Sequence, residues 1–270
     1  MPLISASQLL AASALPQIEA RALLAHVLGI TRERLIAHPE TRVAPEAATR
    51  FEALARRRHS GEPLAYLKGE QEFYGRRFIV SPAVLIPRPD TETLIDVALA
   101  CLRERHQPRV LELGTGSGCI AVTLKLEFPE ATITATDVSV AALAVAEANA
   151  RALGALIEFR AGHWLEAVGT QLRYDLIVSN PPYVAAGDPH LGALIYEPST
   201  ALTDGADGLR CLAEIIDTAT NHLNDGGWLV LEHGYDQAAA VGNLVKEAGM
   251  RDVAAVRDAA GHARVTRSRR

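Results

Sequence analysis

The residues best suited to chemistry in this sequence are the four of Asn180-Pro181-Pro182-Tyr183. They follow Leu176-Ile177-Val178, an apolar run typical of a strand buried on both faces. The prolines end that strand because neither carries a backbone N–H. The Asn180 side-chain oxygen and the Pro181 carbonyl therefore form a pair of acceptors suited to one planar –NH₂ group, with the aromatic face of Tyr183 beside them.

An ordinary turn is the alternative interpretation of this segment, because Asn and Pro are common turn residues. Its predicted position argues for function. It follows the carboxyl end of a central strand, and open α/β sheets bind ligands at that edge. The four residues by themselves leave both interpretations open.

A second candidate site is the turn Gly114-Thr115-Gly116-Ser117-Gly118, between the buried strand Arg109–Leu113 and a helix predicted over 120–126. A strand, a glycine turn and a helix in this order bring backbone close to a nucleotide, with the helix N-terminus behind it. A dinucleotide fingerprint has glycine at its first, third and sixth positions, and the sixth here is Cys119. The spacing resembles instead the first motif of S-adenosylmethionine-dependent methyltransferases.

Two further residues are predicted to reach the same nucleoside from neighbouring strands. The strand 132–136 ends in Asp137, whose two carboxylate oxygens can hold a ribose diol. A third strand, over 156–159, leads to Gly162-His163-Trp164. Trp164 either packs in the core or covers an adenine face, and its position at a strand tip favours the second role.

Arg88 lies in a segment bracketed by prolines, Leu85-Ile86-Pro87-Arg88-Pro89. Prolines favour an extended, stiff backbone. The segment is therefore either a rigid connector or a loop that closes over a ligand and presents Arg88. A β-hairpin with Gly75 at its turn precedes it, and a helix capped by Asp90 or Thr91 follows it.

The chain divides into three predicted regions: a helical substrate-recognition domain over 1–68, a β-hairpin and linker over 69–89, and an α/β domain over 90–270. The first 60 residues are predicted to be helical throughout, with Ser5 or Ser7, Pro16, Thr31 and Pro45 at helix starts. The apolar stripe of the second helix is predicted to contain Ile18, Ala22, Leu23, Ala25, Val27 and Leu28. Three arginines, 56–58, end the fourth helix, where they either complement the helix dipole or dock a partner.

The C-terminal part is predicted to complete the sheet. A fifth strand is expected over 227–232, then a helix over 237–248 and a closing β-hairpin over 253–256 and 263–266. The arginines near the end of the chain are predicted to form a frayed, solvated tail. They are Arg264, Arg267, Arg269 and Arg270.

The overall composition limits the class of protein. Hydrophobic residues make up 49% and charged residues 22%, which is ordinary for a globular protein. A net charge of −5 argues against broad nucleic-acid binding. Residues 1–70 hold nine Lys or Arg and seven Asp or Glu, against 18 and 25 in the remainder. The three cysteines have no metal-ligand spacing, and no signal or membrane-spanning pattern is present, so we expect a cytoplasmic protein without a metal.

With these motifs together, the sequence resembles the protein-(glutamine-N5) methyltransferases that act on peptide chain release factors, the PrmC or HemK family. The resemblance covers nearly the whole chain, and the combination of the proline-bracketed arginine with Asn-Pro-Pro-Tyr is specific. One departure is His163, where the family usually has an acidic residue before the tryptophan. The other matching segments are Glu19-Ala20-Arg21, Arg57-Arg58, 61–66, 72–75, 85–92, Glu197-Pro198 and Glu232-His233-Gly234.

The resemblance implies a Rossmann-like class I fold, with a seven-stranded, mostly parallel sheet, and methyl transfer from S-adenosyl-L-methionine to the glutamine of a Gly-Gly-Gln motif in release factors. It implies no stable nucleic-acid or membrane binding. Methylation of adenine or cytosine amino groups in nucleic acid is the alternative, because the same tetrapeptide suits any planar –NH₂. A non-catalytic nucleoside-binding scaffold is a third possibility, and the intact Asn180 loop argues against it.

The resemblance also implies roles for individual residues. The acceptor glutamine is expected to meet the Asn180 loop and Arg88, and no general base is expected. The residues expected to bind the cofactor are Gly114, Thr115, Gly116, Ser117, Gly118, Asp137, Trp164 and Asn180.

Overall fold

The structure is a computed structural model that describes residues 4–270. The chain forms two compact units, which divide between Glu70 and Gln71. This division lies close to the predicted end of the helical region, and the roles of the two units stay predictions. None of the helices described for residues 4–270 has the length and apolar character that crossing a membrane requires.

The first unit is a small helical bundle. Its helices are α1 (Ala6–Ala12), α2 (Gln17–Leu28), α3 (Arg32–Ala37), α4 (Pro45–His59) and α5 (Leu64–Lys68). The prediction of helix throughout residues 1–60 was wrong in one place, because β1 (Ile4–Ser5) pairs with β2 (Arg42–Val43). Ser5 nevertheless caps α1 as predicted, in a capping box with Gln8.

The core of this unit is formed by α2 and α4, around side chains such as Leu23, Leu24 and Phe51. Ile18 was predicted on the buried stripe of α2, but it is exposed. The arginines at the end of α4 form ion pairs within the unit. Arg58 pairs with Glu19 through two 2.8 Å contacts, and Arg57 pairs with Glu62. For these two arginines the contacts favour a stabilising role.

The second unit begins at Gln71, within the first strand of a β-hairpin formed by β3 (Glu70–Phe73) and β4 (Arg76–Ile79). Tyr74 and Gly75 both have positive φ, which suits the twist of a two-residue hairpin turn. The predicted turn at Gly75 is therefore confirmed. Phe73 and Phe78 are buried in the core of this unit, so the hairpin is packed into the α/β structure and is more than a connector.

The main sheet has seven strands in the order β10-β11-β9-β8-β5-β6-β7, in which β11 runs opposite to the other six. This confirms the predicted Rossmann-like, mostly parallel sheet. The strands are β5 (Arg109–Leu113), β6 (Thr132–Asp137), β7 (Glu158–Ala161), β8 (Tyr174–Ser179), β9 (Leu223–Glu232), β10 (Arg251–Arg257) and β11 (Ala263–Arg269). The third strand was predicted over 156–159; it begins at Glu158, and Leu156 is exposed.

Helices cover both faces of the sheet. One face packs against α6, α7 and α8, and the other against α9 and α10. The helices are α6 (Glu92–Leu102), α7 (Cys119–Glu127), α8 (Val140–Leu153), α9 (Arg210–Ala219) and α10 (Ala238–Glu247). Strand order reverses between β5 and β8, and in doubly wound sheets the carboxyl edge at such a point is the usual ligand site.

The arginines at the C-terminus form ordered contacts, so the prediction of a frayed tail was wrong. Arg264 lies 3.3 Å from carboxylate oxygens of both Asp258 and Asp90. Arg267 and Arg269 stack over the Trp228 ring at 5.3 and 5.5 Å from its centre. The Arg270 side chain donates to the Leu223 carbonyl. The reason is topological: β11 is inserted between β9 and β10, which orders the end of the chain.

Candidate functional site

The strand register brings the predicted site residues to one edge of the sheet. Leu113 at the end of β5 is paired with Thr136 of β6 and with Ser179 of β8. The residues that come next, Gly114 and Asn180, therefore leave the sheet beside Asp137. These residues are far apart in sequence, and parallel pairing makes them neighbours.

The glycine turn allows other elements to approach it closely. A Cβ on Gly118 would lie 3.0 Å from that of Ala146 in α8, and one on Gly114 would lie 3.2 Å from the Trp164 ring. Both glycines also have positive φ, at 78° and 70°, which suits glycine. The turn is thus closed on two sides by neighbouring groups, and at Gly116 a Cβ would meet nothing within 4 Å.

The Asp137 carboxylate is held in place by backbone donors. Its Oδ2 accepts from the Gly116 N–H and its Oδ1 from the Ser139 N–H, each at 2.8 Å. A carboxylate oxygen accepts more than one hydrogen bond, so both atoms keep acceptor capacity toward the cavity that Asp137 lines. Ser139 caps α8, as predicted.

Trp164 packs against the core and also lines the cavity, and its role of covering an adenine face stays a prediction. Its ring packs against the core under α9, and its edge lies against Gly114 and lines the cavity. The indole Nε1 donates to Glu214 at 3.1 Å. His163, the departure from the usual acidic residue, also lines the cavity, with its Nε2 3.8 Å from Glu214. A carboxylate from α9 therefore lies close to the position where the family has an acidic side chain.

One cavity collects most of the predicted residues. Gly118 and Pro181 are buried and lie outside its wall. Tyr183 also lies outside this wall and packs against the core. The predicted residues in the wall are Arg88, Gly114, Thr115, Gly116, Ser117, Asp137, Trp164, Asn180 and Pro182.

The Asn180 amide is held by a neighbouring hydroxyl. Its Nδ2 donates to the Thr91 Oγ1 at 3.3 Å. This contact occupies the nitrogen end of the amide and leaves the Oδ1 as the end available to a ligand. Thr91 was considered as a helix cap, but its side chain makes no capping bond to α6. Its hydroxyl serves the Asn180 loop instead.

Tyr183 is fixed from the end of β9. Its hydroxyl donates to the Glu232 Oε1 at 3.3 Å, and burial together with the nearby Glu232 carboxylate raises the pKa of the Tyr183 phenol. The Tyr183 carbonyl accepts from the Gln237 Nε2 at 3.0 Å. In this conformation Tyr183 anchors the loop, and its predicted contact with the substrate stays a prediction.

Arg88 pairs with Glu197, a carboxylate whose side chain is only 3% exposed. The other Glu197 oxygen accepts from the Ile86 N–H at 3.0 Å. The proline-bracketed segment is thus tied to the irregular stretch after β8, which supports the connector interpretation. Arg88 also lines the cavity, so a ligand-facing role remains compatible with this position.

Two buried carboxylates, Glu112 and Glu232, hydrogen-bond to predicted site residues, although the residue pattern assigned neither of them a role. Glu112 accepts from the Thr115 hydroxyl at 2.6 Å and from the Ala121 N–H at 3.0 Å, and burial raises its pKa to about 8. Burial also raises the pKa of Glu232 to about 7. The available signal was a charged residue inside an apolar strand, because such residues are rarely buried without a specific reason.

Comparison with known proteins gives a consistent result. Residues 3–69 match the family described as PrmC N-terminal domain, and residues 90–249 match Methyltransferase small domain. The chain is 53% identical over 260 residues to the release factor glutamine methyltransferase of Bordetella pertussis, covering 96% of each chain. It is 48% identical to that of Neisseria gonorrhoeae, covering 94% of this chain and 93% of the relative.

Among solved structures, a methyltransferase from Pyrococcus furiosus superimposes with a TM-score of 0.54. It covers 79% of this chain and 95% of its own, at 19% identity. At that identity the likeness concerns the fold alone.

Proposed function

The chain belongs to the release factor glutamine methyltransferase family, and on this premise we propose that it methylates the side-chain amide nitrogen of the glutamine in the Gly-Gly-Gln motif of peptide chain release factors. The methyl donor is S-adenosyl-L-methionine. One observation carries the proposal. The Asn180 amide, with its nitrogen occupied by Thr91, lines the same cavity as the glycine turn and Asp137.

The residues around the glycine turn fit the donor. Asp137 offers two oriented carboxylate oxygens to a ribose diol. The Trp164 ring edge offers an apolar surface for a purine. Gly116 leaves open space where a side chain would otherwise stand. These three features match the hydroxyl, aromatic and backbone contacts that an adenosyl group requires.

When bound, S-adenosyl-L-methionine supplies a methyl group activated by a sulfonium, and its transfer to an amide nitrogen releases one proton. An amide nitrogen is a poor nucleophile because its lone pair is delocalised into the carbonyl. The task of the protein is therefore orientation. The Asn180 Oδ1, which lines the cavity, accepts one N–H of the glutamine amide and holds its nitrogen toward the glycine turn. The carbonyl of Pro181, a buried residue behind the cavity wall, is the proposed acceptor of the other N–H.

The same two oxygens also contribute electrostatically. Positive charge grows on the amide nitrogen as the new bond forms, and carbonyl dipoles that already point at it stabilise that charge without reorganising. Prolines at 181 and 182 restrict the backbone that carries these dipoles. The loop after β8 thus supplies both alignment and charge stabilisation.

We propose further that the chain forms no stable complex with nucleic acid and acts in the cytoplasm. The second proposal draws on the substrate class, since release factors act in translation. Support for the first is the charge distribution, because residues 71–270 hold 25 acidic and 18 basic residues. A nucleic-acid enzyme of this fold would instead be expected to carry a basic groove with stacking aromatics.

The first unit is proposed to recognise the release factor. A glutamine side chain is small, so contacts at Asn180 reject wrong chemical groups without telling one exposed glutamine from another. Selectivity for one protein therefore requires additional surface. The first unit is slightly basic, which would steer an acidic patch on the partner.

Reversing charges in the full-length chain tests this role. The substitutions Arg32→Glu and Arg56→Glu change exposed residues of the first unit. We expect kcat/KM on whole release factor to fall by about threefold to tenfold, more at low salt, since steering charges act on association. Arg103→Glu with Arg251→Glu, both exposed in the second unit, is the matched control. Equal losses of kcat/KM in the two pairs of substitutions would reject the proposed recognition role of the first unit.

The decisive test of the reaction is methyl transfer from labelled S-adenosyl-L-methionine. Whole release factor, a release factor with the Gly-Gly-Gln glutamine replaced, duplex DNA and ribosomal RNA are offered in parallel. Label should appear only in the intact release factor, at one glutamine. Label in either nucleic acid, with the release factor unmodified, would replace this proposal with the nucleobase alternative.

A further inference from the structure

A buried amide on α8 lies behind the cavity, and the proposed mechanism leaves it unused. Asn149 is only 1% exposed, and it lies outside the cavity wall. Burying a polar side chain costs stability unless hydrogen bonds replace those to water. Asn149 makes its hydrogen bonds to backbone groups of two other segments, the end of the hairpin and the glycine turn.

The first partner of Asn149 is Ile79, the last residue of β4. The Ile79 N–H donates to the Asn149 Oδ1 at 2.6 Å, and the Asn149 Nδ2 donates to the Ile79 carbonyl at 2.9 Å. A residue in an antiparallel sheet exchanges the same two bonds with its partner on the next strand. The side-chain amide thus takes the place of a strand, and it joins the end of the hairpin to α8.

The second partner of Asn149 lies in the glycine turn. The Asn149 Nδ2 also donates to the Ser117 carbonyl at 2.8 Å, in a contact between buried groups. Only one orientation of the amide satisfies all three contacts, because the Ile79 N–H needs an acceptor while the two carbonyls need donors. One amide therefore connects two segments that are far apart in sequence.

The position of Asn149 along α8 suits its contact with the turn. Ala146 lies three residues earlier, on the same side of the helix. A Cβ at Gly118 would lie 3.1 Å from the Ala146 Cα, so the helix and the turn approach each other closely at this point. Glycine at 118 permits that approach, and Asn149 then binds the neighbouring residue of the turn, Ser117.

The segment that follows Ile79 forms another part of the cavity wall. Residues 83–85 line the same cavity as Ser117. Only three residues separate Ile79 from this part of the wall, and they include a turn in which the Val84 N–H donates to the Ser81 carbonyl at 3.1 Å. Fixing Ile79 therefore restricts where residues 83–85 lie.

We propose that Asn149 is a positioning residue for the methyl donor. It joins the glycine turn to residues 83–85, so that these two parts of the cavity wall keep the spacing that S-adenosyl-L-methionine needs. The proposal deepens the proposed function and rests on its donor. Asn149 does not touch the donor; it acts through the Ser117 carbonyl and through the end of β4.

A residue with this role should affect donor affinity more than the rate of transfer. Without the amide, the two parts of the wall must be ordered when the donor binds, and that ordering weakens binding. Once the donor is bound, the wall is in place. The Asn180 loop is held by Thr91, Glu232 and Gln237, so alignment of the acceptor should persist.

Calorimetry with S-adenosylhomocysteine, the unreactive product, tests this role in the full-length protein. Asn149→Leu removes the polar atoms at nearly constant volume, and Asn149→Asp keeps the shape and the acceptor for Ile79 but loses both N–H donors. Each variant should bind about tenfold to thirtyfold more weakly, because two or three hydrogen bonds are lost. Methylation of whole release factor at saturating donor should keep most of the wild-type rate.

Val245→Ala is the control for a loss of stability alone. Val245 is fully buried in α10, in the core on the other face of the sheet. Its truncation should lower the melting temperature and leave donor affinity unchanged. All affinities are measured at a temperature where every variant is folded. If the Asn149 variants bind S-adenosylhomocysteine as tightly as Val245→Ala does, the role of Asn149 is merely structural and the proposal is overturned.

Amide hydrogen exchange in the wild-type protein gives a second readout, which needs no substitution. Ile79 lies outside the cavity wall, and its N–H is bonded to Asn149. Binding of S-adenosylhomocysteine should therefore slow exchange of the Ile79 amide through the connection. The reference is the amide of Ala255, which pairs with Thr266 in the hairpin of β10 and β11 and reports general stabilisation. Equal slowing at both amides would contradict the connection.

These two readouts separate the inference from the proposed function, because neither needs a release factor. Weaker binding in the Asn149 variants and slowed exchange at Ile79, in a protein that leaves release factors unmodified, would reject the proposed function and keep the positioning role. Wild-type affinity in both Asn149 variants of an active enzyme would reject the positioning role alone. A wild-type protein that does not bind S-adenosylhomocysteine would reject both.

Discussion

The loop after β5 and the loop after β8 lie side by side at the cavity, but they are held in different ways. In the glycine turn, the Gly118 N–H donates to the Thr115 carbonyl at 2.8 Å and the Thr115 N–H to the Thr136 carbonyl at 2.9 Å. The Asn180 loop depends on side chains from elsewhere. Thr91 holds it from the residue before α6, Glu232 from the end of β9 and Gln237 from the start of α10.

This difference separates two kinds of function. A turn held by backbone hydrogen bonds and by carboxylates of the strands beside it presents a fixed surface, which suits binding of a constant cofactor. A loop oriented by distant side chains can present one chosen atom, which suits alignment of a reacting group. We therefore expect substitutions around the first loop to change mainly affinity, and substitutions around the second to change mainly rate.

The largest expected effect comes from Asn180→Ala. Removing the acceptor oxygen should lower single-turnover methylation by about a hundredfold or more, because the glutamine nitrogen is no longer aligned. Donor affinity, measured by calorimetry, should change little. Asn224→Ala is a suitable control, since Asn224 is also half-buried and hydrogen-bonded, to Asp175 at 3.0 Å. A rate equal to that of the control would leave the loop without a role in the transfer.

Asp137→Ala should act in the opposite way. Charge-assisted hydrogen bonds contribute about 1.5–3 kcal/mol, so donor affinity should fall by roughly tenfold to a hundredfold. At saturating donor the rate should be largely recovered. Calorimetry on a variant whose folding has been checked measures the change. Unaltered affinity would exclude Asp137 from the donor site.

Gln237→Leu tests whether a remote anchor matters for the loop after β8. Gln237 donates to the Tyr183 and Gly208 carbonyls and accepts from the Gly234 N–H at 2.8 Å. The variant loses all three bonds, but only the one to Tyr183 acts on the loop, and it is worth about 1 kcal/mol, so we expect a rate loss of roughly tenfold or less. Single-turnover kinetics and calorimetry should give a lower rate with unchanged donor affinity. A loss of donor affinity instead would contradict the proposal that the first loop controls affinity and the second controls rate.

The smallest effect on activity is expected for Glu112→Gln, which should alter stability. The folded-state pKa of Glu112, about 8, lies above its ordinary value of 4.5. Its contribution to stability is therefore complete below a pH of about 4.5 and is lost as the pH rises through about 8. Gln does not titrate and keeps an acceptor for Thr115. The difference in melting temperature, variant minus wild type, should therefore become more positive as the pH is raised from acidic to alkaline. A difference that does not change with pH would show that the Glu112 carboxyl is not buried in its protonated form.

Much of the fold was readable because its signals are local. Apolar runs predicted β5 and β8, Ser139 and Gly29 marked helix ends, and Gly75 marked a hairpin turn. The errors arose where local signals are weak. The pair β1 and β2 has only two residues in each strand, and the arginines after Ala263 are ordered by pairing with distant strands.

The candidate site shows the same division. Residue type and spacing alone indicated the glycine turn, Asp137 and the Asn180 loop, because each depends on backbone properties of glycine and proline or on a residue at a strand end. Thr91 carries no such signal, and the charge of Glu112 or Glu232 in an apolar strand does not show what it contacts. Each is an ordinary polar residue in sequence, and its role depends on which atom of another segment lies within hydrogen-bond reach.

The sequence by itself therefore determined the class of fold, and it indicated the glycine turn and the Asn180 tetrapeptide as the candidate site. Only the tertiary structure decided the direction of the Asn180 amide. It also decided that the Tyr183 hydroxyl contacts Glu232 and that Tyr183 is not part of the cavity wall. The physical reason is range. Backbone preferences act over a few residues and are written in the local sequence, whereas the direction of a hydrogen bond depends on partners that only the register of parallel strands brings together.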